Sequence, residues 1–434
     1  MTGRNRTHEY QGVISNMRPV TARGFRDVLP AEAAEREALV ARIGEAFSAW
    51  GYGLVETPVV ERLDTLEAAV GPLEGVAFRL IDLDGRVLAL RPDMTVPIAR
   101  LAASRLYGEP GPHRFRYAAE VFREHESLRG QSRQFTQVGV EFIGAAGPAA
   151  DAEMIAVMVE GLRAAGLSSF SVVVGTVAVL AAIVDAAEMP PAWGAQVLSA
   201  AHDRNLVELD RLAEEPGVRP EAARALRAVP RVRGGREAVA ACREAASACG
   251  CGEALDELDA TLALLAAAGV ADSVAVDFSV MRSFEYYTGL VAEAYAPGLG
   301  VPLGGGGRYD GVLGAFGAPA PAAGFALGLE RISIALLEQG AQPVARSLDA
   351  VLGGAPEVAL VAAQELRAAG WRVALSSHEG LALLAEADRL DAAEALLARG
   401  GLIVRLDRAG EPALPLSRPV PAPPASTWKA GGQS

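Results

Sequence analysis

Residues 129–141 read Arg-Gly-Gln-Ser-Arg-Gln-Phe-Thr-Gln-Val-Gly-Val-Glu, and no other stretch narrows the possible folds and functions as far. The alternation is that of a β-strand, whose side chains point to opposite faces with period two. Thr136, Val138, Val140 and Phe142 then make an apolar face fit for a core. Arg133, Phe135, Gln137, Gly139 and Glu141 share the other face, which sets a cation, an amide and a carboxylate in a row beside a glycine gap. Burying such a row without partners is costly. A small zwitterion would supply the partners, and a solvated outer face of an antiparallel sheet fits the same pattern.

The rest of the chain bounds that choice. Its 434 residues suffice for two or three domains. A net charge of -13 and a pI near 5.1 argue against a broad nucleic-acid surface. Cys242, Cys249 and Cys251 lack a paired C-x-x-C spacing or a nearby histidine, so they read as idle thiols of a reducing compartment and no metal is expected. No apolar run is long enough to cross a membrane. The first sixteen residues lack the apolar stretch of a signal peptide, and Met17 is an alternative start. A cytoplasmic protein with a loose tail over 1–18 is the expectation.

Leu39, Ile43, Phe47 and Trp50 recur at helical spacing and predict a helix over 31–50. A strand is expected over 54–61, with Pro58 confined to an edge or an interface. Asp84-Gly85 predicts a two-residue hairpin turn between strands 78–83 and 86–91. A helix over 96–106, an antiparallel pair over 115–123 and 133–143, a helix over 149–166 and a strand over 170–174 follow. The Ala-, Leu- and Arg-rich region 177–269 reads as an inserted helical lobe broken at Pro190-Pro191 and Pro216. Strands resume over 274–280 and 286–295, and a helix ends near 338. Beyond it, 357–370 and 381–400 read as helices around a strand at 371–375. The Pro- and Ala-rich residues 413–434 read as disordered.

Four segments offer chemistry. Arg91-Pro92-Asp93-Met94-Thr95 puts a carboxylate and a hydroxyl at a strand-to-helix junction, where Asp93 equally fits a helix cap. Arg123 could hold a carboxylate or phosphate, and an ordinary surface arginine fits the same position. Arg282 to Tyr287 combines an arginine, an acid and two tyrosines. The run Gly304 to Gly307 permits close backbone approach, or makes a bulge or flexible turn. The five histidines form no triad or metal spacing, and only His125 stands in a polar loop worth watching. No nucleophile, Walker loop or dinucleotide fingerprint is present.

In this order the segments resemble class II aminoacyl-tRNA synthetases, specifically the histidyl branch. The helix from Ala31 with the Pro58 strand resembles the first class II signature, which in that family forms the dimer interface. Phe122-Arg123 through Glu141 resembles the second, and Gly324 to Arg331 the third. Arg282 to Tyr287 and Gly305 to Gly311 resemble segments peculiar to the histidyl branch. The resemblance covers roughly 22–338. It implies an α+β fold: an antiparallel sheet flanked by helices, with a helical insertion near 177–269 in a core over 19–338. A small, degenerate C-terminal α/β appendage would span 339–412. It also implies an amino-acid pocket built from Asp93, Thr95, Arg123, Gln137, Glu141, Arg282, Tyr286 and Tyr287.

The departures matter as much. Synthetases of this branch carry Arg-Pro-Glu where this chain has Arg91-Pro92-Asp93. Their basic second-signature loop is replaced by Glu124-His125-Glu126-Ser127-Leu128, whose acids repel ATP phosphates. Glu285 replaces the usual aspartate, and the charges over 358–408 nearly balance, unlike an RNA-gripping domain. These features resemble the regulatory subunits of ATP phosphoribosyltransferase more than any synthetase. That resemblance implies a non-catalytic protein without cofactor. Its partners would be the short-form catalytic subunit, a second copy of itself, and L-histidine as feedback effector, with no nucleic acid or membrane. An active histidyl-tRNA synthetase with an atypical loop is the alternative.

Overall fold

The computed structural model describes residues 20–124, 132–280, 286–341, 348–390, 392–399 and 401–416. The chain enters on helix α1 (Pro30–Ala49), started by a proline whose missing N–H is unneeded in a first turn. Leu39, Ile43 and Phe47 bury its apolar stripe. Trp50 does not join them; it lies one residue past the helix end and is 39% exposed. The strand expected over 54–61 is two pieces, β1 (Gly53–Leu54) and β2 (Val60–Arg62), interrupted around Pro58. Helix α2 (Leu63–Val70) precedes the hairpin β3 (Arg79–Ile81) and β4 (Val87–Leu90). The hairpin turn is longer than the two-residue form: Ile81 pairs with Val87, and the Asp82 amide donates to the Arg86 carbonyl at 2.9 Å. Gly85 closes it at φ +81°, which fits a three-residue loop.

Helix α3 (Thr95–Arg105) leads to the long antiparallel pair β5 (His113–Phe122) and β6 (Gln134–Ile143). Helix α4 (Gly147–Ala165) and strand β7 (Ser171–Thr176) follow. The insertion holds α5 (Val177–Ala186), α6 (Pro191–His202), α7 (Leu206–Ala213), α8 (Pro220–Ala228), α9 (Glu237–Ala245) and α10 (Gly252–Ala267). It is broken at the expected prolines, and one short strand, β8 (Arg233–Gly234), ties it back to the sheet. Cys242, Cys249 and Cys251 are buried there and free. The sheet continues with β9 (Val274–Asp277), β10 (Leu290–Tyr295), β11 (Gly304–Arg308) and β12 (Ala322–Gly328), and α11 (Leu329–Glu338) closes this unit. Tyr286 and Tyr287 therefore precede strand β10 instead of opening it.

The nine strands run in the order β1-β5-β6-β12-β11-β10-β7-β9-β8. The middle, β5 through β7, is antiparallel; β1 joins β5 and β9 joins β7 in parallel. Val138, Val140 and Phe142 pack with α1 and α4 residues in one core, as the alternation requires. The opposite face of the sheet carries Tyr117, Tyr309 and the side chains of α3. That division places the polar row of β6 under a roof made by α3 and the Tyr286-Tyr287 segment.

The C-terminal unit corrects two expectations. Strand β13 (Leu348–Gly354), helix α12 (Pro356–Ala368), strand β14 (Val373–Leu375) and helix α13 (Gly380–Arg389) precede strand β15 (Ala392–Arg399). The last of these was expected to continue a helix, because Ala, Glu and Leu favour one. It instead pairs with β13 in parallel and with β16 (Leu402–Leu406) in antiparallel, a tertiary override of local propensity. The order is β14-β13-β15-β16-β17, with α12 and α13 on opposite faces. All but the first residue of strand β17 (Pro412–Pro415), and the buried Leu416, also lie inside the stretch expected to be disordered. Their order comes from pairing with β16 and from packing onto the α12 core. The tail over 1–18 and the residues after 416 lie outside the described residues, as does His125.

Candidate functional site

Glycine makes the floor of the site. Gly324 of β12 pairs with Glu141 of β6, and a Cβ on it would sit 1.9 Å from Glu141 Oε2. A Cβ on Gly139 would lie 2.1 Å from the Phe325 carbonyl, and one on Gly306 1.9 Å from the Gly324 carbonyl. The run Gly304 to Gly307 is accordingly neither bulge nor flexible turn. It is a fully buried strand, paired on both sides, whose missing side chains leave space above the sheet.

Polar groups converge on that space. Glu141 is fully buried, accepts from Thr95 Oγ1 at 2.8 Å, and accepts from the Tyr309 hydroxyl through its other oxygen. Burial pushes its carboxyl up to about 8, against the pull of the Tyr309, Thr95 and Tyr117 hydroxyls. Asp93 is 6% exposed and is pushed up by burial, with Arg123 drawing it back. One of its oxygens also accepts from the Val96 amide at 3.3 Å, so it supports the first turn of α3 as well as facing the cavity. Gln137 lines the same cavity as Asp93, 6% exposed, and its Oε1 is buried with no hydrogen-bond partner among the described residues. Arg123 donates through Nε to the Pro92 carbonyl at 2.9 Å and lies over the Phe135 ring.

Tyr286 and Tyr287 pack at 4.8 Å, and Tyr309 meets Tyr286 edge-on. The cavity they bound holds about 410 Å³, within the range of small-molecule sites. Its lining combines Asp93, Gln137 and the tyrosines with the apolar Leu299, Val301 and Ile334 and with Glu330 and Arg331. Arg331 donates to the Pro302 carbonyl at 2.6 Å.

Seven of the eight residues implied by the resemblance are described. Asp93, Thr95, Arg123, Gln137, Tyr286 and Tyr287 line this cavity, and the Glu141 carboxylate lies in its floor between Thr95 and Tyr309. Arg282 lies outside the described residues. Arg133, which the alternation set in the same row, is drawn away: its guanidinium covers the Phe78 ring at 4.3 Å and its backbone amide donates to Gly24. Arg91 is spent on structure, donating to the carbonyls of Glu120 and Thr57 at 2.9 and 2.7 Å. Tyr309 and Tyr117 were missed. The available signal for Tyr309 was its place as the first large side chain after Arg308 and the glycines. Among the described residues no group of three or more His, Cys, Asp or Glu is placed to hold a metal. No described helix is long and apolar enough to cross a membrane.

The glycine-floored pocket on a sheet of this topology defines a protein of the histidyl-tRNA synthetase class. The sequence model of the histidyl-tRNA synthetase family matches residues 24–332. A histidyl-tRNA synthetase from Nostoc shares the fold with a TM-score of 0.76 at 23% identity, over 92% of this chain and 96% of the other. Within that class the relatives are more particular. The ATP phosphoribosyltransferase regulatory subunit of Moorella thermoacetica is 41% identical over 368 residues, 84% of this chain and 94% of the relative. That of Symbiobacterium thermophilum is 40% identical over 396 residues, 90% of this chain and 97% of the relative. A crystal structure described as an ATP phosphoribosyltransferase regulatory subunit/histidyl-tRNA synthetase from Bacillus halodurans superposes with a TM-score of 0.76 at 30% identity, covering 87% and 97% of the two chains. This chain belongs to the family of ATP phosphoribosyltransferase regulatory subunits.

Proposed function

We propose that the cavity above Gly324 binds L-histidine, and that its occupancy sets the activity of a short-form ATP phosphoribosyltransferase catalytic subunit bound to this chain. The observation that carries the reading is Gln137. A buried, unpartnered acceptor in the same cavity as the buried Asp93 is a cost that a ligand ammonium removes. Asp93, Gln137 Oε1 and Thr95 Oγ1 are acceptors for that ammonium, and Arg123 faces the ligand carboxylate. Glu141 and Tyr287 bracket the imidazole. Histidine then regulates by binding two states of the assembly unequally, with a coupling on the order of 1–3 kcal/mol.

The protein itself is non-catalytic on this reading. Glu124 stands at the mouth of the second-signature loop, where a synthetase needs cations for ATP, and it pairs with Arg133 at 3.3 Å. A second copy would cover the apolar face left by the first signature and its hairpin, where Leu54, Val60, Ile81 and Leu83 are exposed. The compartment of such a complex is the cytoplasm.

Titration calorimetry with L-histidine tests the site. Glu141→Ala is expected to weaken binding at least tenfold while the protein remains folded; unchanged affinity would remove the pocket from the proposal. Co-expression with the short catalytic subunit, followed by histidine titration of its rate, tests the regulation. Histidine-dependent ATP–pyrophosphate exchange should be absent, and its presence would make the chain a synthetase.

A further inference from the structure

We infer that Tyr309 is the positioning residue that makes the pocket specific for a ring N–H, by holding the Glu141 carboxylate in one orientation. The inference rests on the histidine reading and deepens it. Among the described residues no cation pairs with Glu141. Its two oxygens accept from hydroxyls on separate elements, Thr95 at the start of α3 and Tyr309 just after β11, and the Tyr117 hydroxyl faces it as well. The carboxylate lies against Gly324, where a Cβ would stand 1.9 Å from Oε2, so one side is closed by backbone. Thr95 also faces the ammonium end, so its hydroxyl is shared. Tyr309 is 1% exposed and its hydroxyl donates to Glu141. Its ring is locked edge-on against Tyr286 at 6.0 Å, which fixes where that hydroxyl points. An oriented acceptor rejects a ring that offers no donor, because the buried carboxylate is then left short of a partner.

Tyr309 borders the cavity with its ring, which Tyr309→Phe keeps, so loss of the hydroxyl alone must be selective. Two ligands separate selective from general loss: histidine, and thienylalanine, which keeps the amino-acid charges and a five-membered ring but has no ring N–H. In the wild-type protein histidine should bind the more tightly. Tyr309→Phe keeps the ring packing and is expected to lower histidine affinity about tenfold while leaving thienylalanine within about twofold. Equal losses for both ligands, or an unchanged histidine affinity, overturn the inference.

The pH profile gives a second readout. Groups facing Glu141 are Thr95, Asp93, Tyr117, Tyr286 and Tyr309. Removing a hydroxyl donor pushes a buried carboxyl higher, so the rise of histidine affinity with pH should move to higher pH in Tyr309→Phe. A merely structural role would lower affinity equally at every pH and would overturn the inference. Failure of the histidine reading shows earlier and separately, as wild-type protein that does not prefer histidine to thienylalanine.

Discussion

Two buried side chains of β6 are arranged at the expense of the empty protein's stability. Gln137 Oε1 has no partner among the described residues, so replacing it with an apolar group of similar size removes a cost. Gln137→Leu is expected to stabilise the empty protein by about 1 kcal/mol in denaturant unfolding while weakening histidine binding in calorimetry. A loss of stability would mean that the amide is already satisfied. Glu141 acts through pH. Its carboxyl titrates near 8 in the folded protein and near its ordinary value of 4.5 when unfolded. Between those values the folded protein holds the extra proton, so stability is full below about 4.5 and falls as pH rises through about 8. Asp93 is shifted in the same direction and adds to the same slope. Glu141→Gln should therefore flatten, without abolishing, the decline of melting temperature with pH across that window; a parallel decline in both proteins would show Glu141 ionised throughout. Both residues were legible from alternation alone, since Val138 and Val140 fixed the core face and left Gln137 and Glu141 on the other. Tyr309 was not, because a tyrosine after a glycine run carries no periodicity to say which way it points.

At the level of elements the informative failures are glycine and alanine. Gly304 to Gly307 has no side chains to alternate, so nothing local distinguishes a loop from a buried strand. Its strand character comes from β10 and β12 on either side, and its glycines are required because those neighbours press close. A Cβ on Gly306 would meet the Gly324 carbonyl at 1.9 Å and Phe325 Cα at 2.5 Å, backbone atoms that cannot step aside. Gly306→Ala is expected to destabilise the protein by about 3 kcal/mol or more, read as a lowered denaturant midpoint. A shift of less than about 1 kcal/mol would mean that the sheet opens more easily than this spacing allows. Residues 392–399 fail in the opposite sense. Ala-Ala-Glu-Ala-Leu-Leu-Ala-Arg has the composition of a helix, and only the vacancy between β13 and β16 makes it a strand. By contrast β5, β6 and the helices of the insertion were legible, because their apolar periods agree with the partners they meet.

Over the whole molecule, two units carry separate cores, and the second ends later than its composition suggests. Among the described residues, the arginines of the insertion largely neutralise themselves against nearby acids, as in Arg211 with Glu208 and Glu215, Arg236 with Asp259 and Arg243 with Asp256. Arg372 with Asp349 and Arg405 with Glu394 repeat the pattern in the C-terminal unit. The exposed pairs of the insertion add little stability; in the C-terminal unit Asp349 is buried and also accepts from the Arg372 amide, and the rest of that unit depends on its apolar core. That core includes Leu416, 7% exposed, whose amide donates to the Ile403 carbonyl at 2.8 Å. Proline at 412 and 415 is tolerated because β17 is the edge of the sheet, where a ladder donor is not needed on the outer side. A chain stopped after Leu416 should therefore unfold like the full-length protein and still assemble with the catalytic subunit. A chain stopped after Glu411 loses the edge strand and the leucine, exposes Ile403, and should lose about 2–3 kcal/mol from the C-terminal unit. Limited proteolysis followed by mass spectrometry reads the difference as early cleavage between β13 and β16 in the shorter chain alone. Equal resistance of the two truncations would assign Leu416 no part in that core.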